Sequence, residues 1–137
     1  MTNKIFVYIA GPMESVGGNM NFPLFELVAQ KLRATGRCEV FSPADHAREE
    51  IGTLEFIMKL DKKDLKNWRK RLLANELSWI CRNADVMLML PGWQQSAGAK
   101  AERAVAEALE ITIRELPNII LEDFTVDHFI VLANNVS

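Results

Sequence analysis

The chain is poor in the residues that announce most specialised chemistries. It has only two cysteines, two histidines and one tyrosine. Cys38 and Cys81 stand far apart and match no metal-ligand spacing, so two free thiols in a reducing compartment are expected rather than a disulfide. His46 and His128 have no matching metal-ligand partners, and neither a metal nor another cofactor is expected. No sign of charge dominates: the formal net charge is -2. That excludes a general basic surface for a nucleic acid polymer and a polybasic membrane signal. Long apolar runs are missing as well. The opening MTNKIFVYIAG is broken by Gly11-Pro12 too early for a signal peptide or a membrane span, so a cytoplasmic protein is expected. There is no internal repeat and no low-complexity linker.

What remains is an ordinary globular composition, 49% apolar and 25% charged over 137 residues. One domain spanning residues 1–137 is expected, with a core of its own. Ile5 to Ile9 reads as a buried strand ended by Ala10-Gly11-Pro12. The loop Met13 to Met20 holds Gly17-Gly18 and is expected to move. Asn21 is placed to cap a helix to about Ala34, with Phe22, Phe25, Val28, Ala29 and Leu32 as its apolar face and Gly36 as its stop. Cys38 to Phe41 is a second strand ended by Ser42-Pro43. Ala44 to Lys66 is charged with an apolar patch, consistent with a short helix or a lid. A strong helix is expected from Asn67 to about Arg82, a strand over Asp85 to Leu90, and a helix from Ser96 or Gly98 to about Ile111. A strand at Asn118 to Leu121 and a closing helix within Thr125 to Asn134 complete the reading.

Alternating strands and helices imply an α/β fold, a three-layer, doubly wound parallel sheet of about five strands in the flavodoxin-like or Rossmann-like manner. Such sheets bind ligands beyond the carboxyl ends of their strands. Three loops fall there: Gly11-Pro12-Met13, Ser42-Pro43-Ala44-Asp45, and Pro91-Gly92-Trp93. Trp93 could stack on a base or pack against its own domain.

Two carboxylates stand out within this frame. Arg103, Glu107, Glu110 and Arg114 follow helical spacing and form a polar stripe, whereas Glu102 rotates toward Leu109 and Val105 on the side facing the sheet. An acid there is costly unless hydrogen-bonded or functional. Two readings stand: a glutamate favoured by the helix dipole, or a catalytic group. Glu76 repeats the anomaly among Leu72, Leu73, Leu77, Trp79 and Ile80, where an ion pair with Arg69 is the structural alternative. Paired carboxylates in different environments suit glycosidic-bond chemistry. Ser96-Ala97-Gly98-Ala99, at a helix start, could hold a phosphate or sugar hydroxyl, although a serine there is commonly just a cap.

Taken together, "YIAGPM" (Tyr8 to Met13), "NFPLF" (Asn21 to Phe25), "VFSPAD" (Val40 to Asp45), "W...LL..EL" (Trp68 to Leu77) and "ADVMLMLPGWQQSAGAKAE" (Ala84 to Glu102) resemble the nucleoside 2-deoxyribosyltransferase-like superfamily. The resemblance is to its short, often phage-encoded members of largely unassigned function. It implies cleavage or exchange at the N-glycosidic bond of a 2-deoxynucleoside or its 5′-monophosphate. Glu102 would be the nucleophile, forming a glycosyl ester that water or a second base resolves. Tyr8 would lie near the sugar, and Glu76 stands where relatives usually carry aspartate. Ser96 and Gly98 match phosphate-binding positions. Asn21 and Phe22 join the three loops (Gly11, Pro12 and Met13; Ser42, Pro43 and Asp45; Gly92 and Trp93) as candidate substrate contacts. Ala99 and Ala101 replace glycines of more open members, which keeps open a nucleotide-binding module without turnover. The partner expected is a small nucleoside or nucleotide, and the resemblance implies a homodimer or homotetramer.

Overall fold

A computed structural model describes residues 4–13 and 20–116 of the chain. Four parallel strands, β1 (Ile5–Ala10), β2 (Cys38–Phe41), β3 (Val86–Met89) and β4 (Thr112–Glu115), form one sheet in the order β2-β1-β3-β4. The helices are α1 (Phe22–Ala34), α2 (Pro43–Glu50), α3 (Leu54–Lys59), α4 (Lys62–Asn83) and α5 (Ala97–Ala108). The chain leaves β1 toward β2 on one side, then returns to lay β3 on the other. The carboxyl ends of β1 and β3 therefore flank the topological switch point.

The two faces of the sheet follow from strand alternation. Val7 and Ile9 of β1, with Val86, Leu88 and Leu90, pack under α1 through Phe22, Phe25, Val28, Ala29 and Leu32. Every apolar position expected for α1 is buried. On the opposite face Tyr8, Ala10, Met87 and Met89 pack against Ile80 of α4 and against Ala99 and Ala106 of α5. The register sets Tyr8 between Phe41 on β2 and Met87 on β3. Its ring stacks on Phe41 at 5.3 Å.

Several expectations are corrected. The described residues hold four strands, not about five. The last of them lies at Thr112–Glu115, ahead of the expected strand at Asn118 to Leu121. That segment, the closing helix and the loop glycines Gly17-Gly18 lie outside the described residues. The helix expected to reach Ile111 stops at Ala108, because Glu110 takes a left-handed φ of 58° and turns the chain into β4. A glycine would have advertised this stop, and none is present. The polar stripe consequently loses two members: Glu110 is in the turn and Arg114 is on β4, leaving Arg103 and Glu107 paired at 2.9 Å.

Asn21 does precede α1 but does not cap it by its side chain. It adopts φ 60°, and its Nδ2 donates to the Pro12 carbonyl at 2.9 Å, tying the loop after β1 to the helix. The helix expected from Asn67 is α4, which begins five residues earlier at Lys62 because Asp61 caps it by accepting from Asp64 N–H at 2.8 Å. Ala44 to Lys66 is two short helices and the first turn of α4, anchored by the buried Ala44, Ala47 and Ile57. Cys38 is buried, Cys81 is exposed, and both are free thiols. Among the described residues no helix is long and apolar enough to cross a membrane.

Candidate active site

A cleft of about 540 Å³ opens beyond the carboxyl ends of the strands. Gly11 after β1, Pro43 after β2, and Gln95 to Ala99 after β3 line one side; Ala47, Ile51, Ile57 and the inner face of α4 line the other. The volume suits a small organic ligand. Gly11 is required by close approach: a Cβ there would sit 2.7 Å from the Leu90 Cβ. Gly98 stands in open space, so its missing side chain leaves the α5 start accessible.

Glu102 and Glu76 both line this cleft, and both are nearly removed from solvent, at 4% and 8% exposure. Glu102 is brought there by α5, whose buried face is Ala99, Glu102 and Ala106. The inward rotation expected for Glu102 holds, and Val105 packs against the same cluster as Ala99 and Ala106, but Leu109 lies past the helix end and is 49% exposed. Glu76 comes from the middle of α4, where only Ile80 is comparably buried.

Between them reaches Tyr8, fully buried on β1, which donates its O–H to Glu102 Oε2. Burial, then the charges of Glu102 and Glu76, push the tyrosine pKa well above its ordinary value, so it remains a donor. Desolvation pushes Glu76 up to about 10, reinforced by the charge of Glu102 and by hydrogen bonding to it. Glu102 is pushed up by desolvation to about 7, while hydrogen bonds from Glu76 and Tyr8 pull the other way. The two acids therefore part company at neutral pH: Glu76 keeps its proton, and Glu102 is the one that ionises. Two environments, two protonation states, is the arrangement that acid-and-nucleophile chemistry needs.

Of the other expected contacts, Met13, Pro43, Ser96 and Gly98 line the cleft with Gly11. Ser96 also caps α5, its Oγ accepting from Ala99 N–H at 3.2 Å. The remainder stand elsewhere. Pro12 receives Asn21, and its Cγ lies 3.3 Å from where a Cβ on Gly92 (φ 86°) would sit. Phe22 is core, with the Arg48 guanidinium 4.8 Å from its ring centre. Ser42 is buried, and its Oγ has no hydrogen-bond partner among the described residues. Asp45 pairs with Arg33 at 2.9 Å and Arg48 at 3.5 Å. Trp93 lies under Arg103 (4.4 Å) and donates from Nε1 to Glu115 at 2.9 Å, fastening the loop after β3 to β4.

Lys66, Lys70 and an apolar wall of Ile51, Ile57 and Leu65, none of them a candidate site residue from sequence, also line the cleft. The signal existed in the spacing of Lys66, Arg69, Lys70 and Leu73, one helical face continuing toward Glu76, once α4 is started at Lys62. Among the described residues no group of three His, Cys, Asp or Glu side chains stands close enough to hold a metal.

Residues 5–115 match the family model described as Domain of unknown function (DUF4406). The chain belongs to this family. The match begins with β1 and ends with β4, so it contains every element that builds the cleft. No curated protein matches the chain.

Proposed function

We propose that this DUF4406 protein cleaves or transfers at the N-glycosidic bond of a 2-deoxynucleoside or its 5′-monophosphate, through a covalent glycosyl-glutamate. The observation that carries this reading is the Tyr8–Glu102–Glu76 cluster, whose two acids line a ligand-sized cleft. An ionised carboxylate so deeply buried is costly, and here it is oriented by a phenolic donor. The sequence resemblance to nucleoside 2-deoxyribosyltransferase-like proteins supports the same assignment.

In this reading an oxygen of Glu102 attacks the anomeric carbon as the bond to the base breaks with its electron pair. Tyr8 holds Oε2 and orients the carboxylate. Glu76 is the protonated acid of the cleft and supplies the proton that the leaving base requires. Water or a second base then attacks the same anomeric carbon, its proton passing to the Glu76 carboxylate, and the bond from that carbon to Glu102 breaks to release the carboxylate. A homodimer or a dimer of dimers belongs to the same proposal, and light scattering on the purified chain reads it.

The test is incubation with a panel of 2-deoxynucleosides, ribonucleosides and their 5′-monophosphates, following free base by chromatography. Release by wild type that Glu102→Ala abolishes is expected. If wild type releases no base, or Glu102→Ala releases it undiminished, the catalytic reading falls. Ligand-dependent thermal stabilisation without any product would favour a nucleotide-binding module instead.

A further inference from the structure

The two acids of the cleft lie at one end of a cationic wall. Lys66, Arg69 and Lys70 line the same cavity, all on α4. Measured along the helix from Glu76, Lys70 lies ~9 Å and Lys66 ~15 Å farther out, at 1.5 Å rise per residue. Glu76 and Glu102 are the only acids among the described residues that line the cleft, and Lys66 and Lys70 stand farther out along α4 than Glu76. Like charges three and four positions apart on one helix repel. Lys66 and Lys70 are four positions apart on α4, an unfavourable spacing that an anion running along the face would relieve.

One phosphate next to the sugar would sit near the acids and reach only the inner end of this row. Positive charge spread over more than one helical turn matches a chain of phosphates better. We propose that the α4 face of Lys66, Arg69 and Lys70 binds the phosphate chain of a nucleoside 5′-triphosphate, with the sugar held against Glu102. The placement of the sugar rests on the glycosidic reading above; the recognition of a polyphosphate does not.

Two measurements separate the claims. The first is calorimetric titration of Glu102→Gln, which removes the nucleophile, with 2-deoxynucleosides and their 5′-mono-, di- and triphosphates in magnesium-free buffer. The same titrations are run with Lys66→Gln and Lys70→Gln added singly and together. Affinity is expected to rise by roughly tenfold or more from mono- to triphosphate at low salt and to weaken as salt screens it. Each lysine change should lower triphosphate affinity by roughly three- to tenfold, leaving the nucleoside within about twofold. Both lysines are solvent-exposed, and circular dichroism on the variants confirms that the fold is kept.

The second is base release by chains that retain Glu102, across the same phosphate series. Triphosphate kcat/KM should exceed the monophosphate value and fall in the lysine variants. Equal affinity for mono- and triphosphate overturns the proposal, as does a triphosphate-to-monophosphate ratio unchanged by the lysine substitutions. Base release without triphosphate preference sinks this inference alone. Triphosphate preference without base release from any compound sinks the glycosidic reading and leaves this one standing. Absence of nucleotide binding overturns both.

Discussion

The Tyr8 hydroxyl donates to Glu102 Oε2 across 94 residues of sequence, joining the first strand to the first turns of the last described helix. The bond holds Oε2 of the carboxylate and so orients the group. It also helps Glu102 ionise, against the desolvation that raises its pKa.

Base release should follow a bell-shaped pH profile, its acid limb near 7 as the pair first ionises, mainly at Glu102, and its basic limb near 10 as Glu76 loses its proton. Because the tyrosine bond lowers the Glu102 pKa, Tyr8→Phe moves the acid limb upward and cuts kcat by about 10- to 100-fold. A pH-rate series on both proteins checks the direction. An acid limb unmoved in Tyr8→Phe would separate the tyrosine from the carboxylate's ionisation.

Stability should fall as pH rises from about 4.5. Both acids have folded pKa values raised above that ordinary value, so the folded state binds more protons than the unfolded chain across the intervening window. The stabilisation is fully present below 4.5, is lost for Glu102 by about 7, and continues to be lost toward 10 for Glu76. Glu76→Gln, which mimics the protonated form, flattens the decline above neutral pH while lowering kcat. Chemical denaturation at a series of pH values reads both slopes.

The two cleft glycines should respond oppositely. Gly11→Ala forces a methyl against Leu90 and costs about 1–3 kcal/mol. Gly98→Ala meets open space within α5, so the fold is unharmed or gains up to about 1 kcal/mol. Its methyl narrows the α5 side of the cleft, and KM rises. Denaturant midpoints and steady-state kinetics on the two variants distinguish these outcomes.

Asp45→Asn leaves base release at the wild-type rate, because its partners are Arg33 and Arg48 outside the cleft, and costs less than about 1 kcal/mol as a partly exposed pair. Ser96→Ala removes the α5 cap and costs about 1 kcal/mol, with a higher KM for phosphorylated substrates only. A loss of activity in Asp45→Asn would return that residue to the site.

Local patterns that depend on near neighbours were legible in the chain. The apolar face of α1, the β1 and β2 strands, and the stop at Gly36 follow from periodicity and glycine chemistry. The inward turn of Glu102 was also legible, since rotation about a helix is set by spacing alone. Its expected neighbour Leu109 was misread because the end of α5 depends on Glu110 adopting a left-handed turn, a backbone choice that few non-glycine residues make.

The sequence by itself determined the alternation of strands and helices, the parallel sheet, and two acids off the solvated faces. Folding decided which distant groups meet. Tyr8 could have been core alone; the β1–β3 crossover and the crossing of α4 over α5 set it between two carboxylates. Tertiary contact likewise drew Asp45 and Trp93 into pairs with Arg33, Arg48, Glu115 and Arg103, and turned Lys66 and Lys70 toward the cleft. Helical spacing reports a direction around an axis, whereas a site is made where directions from separate elements converge, and only the packed sheet brings them together.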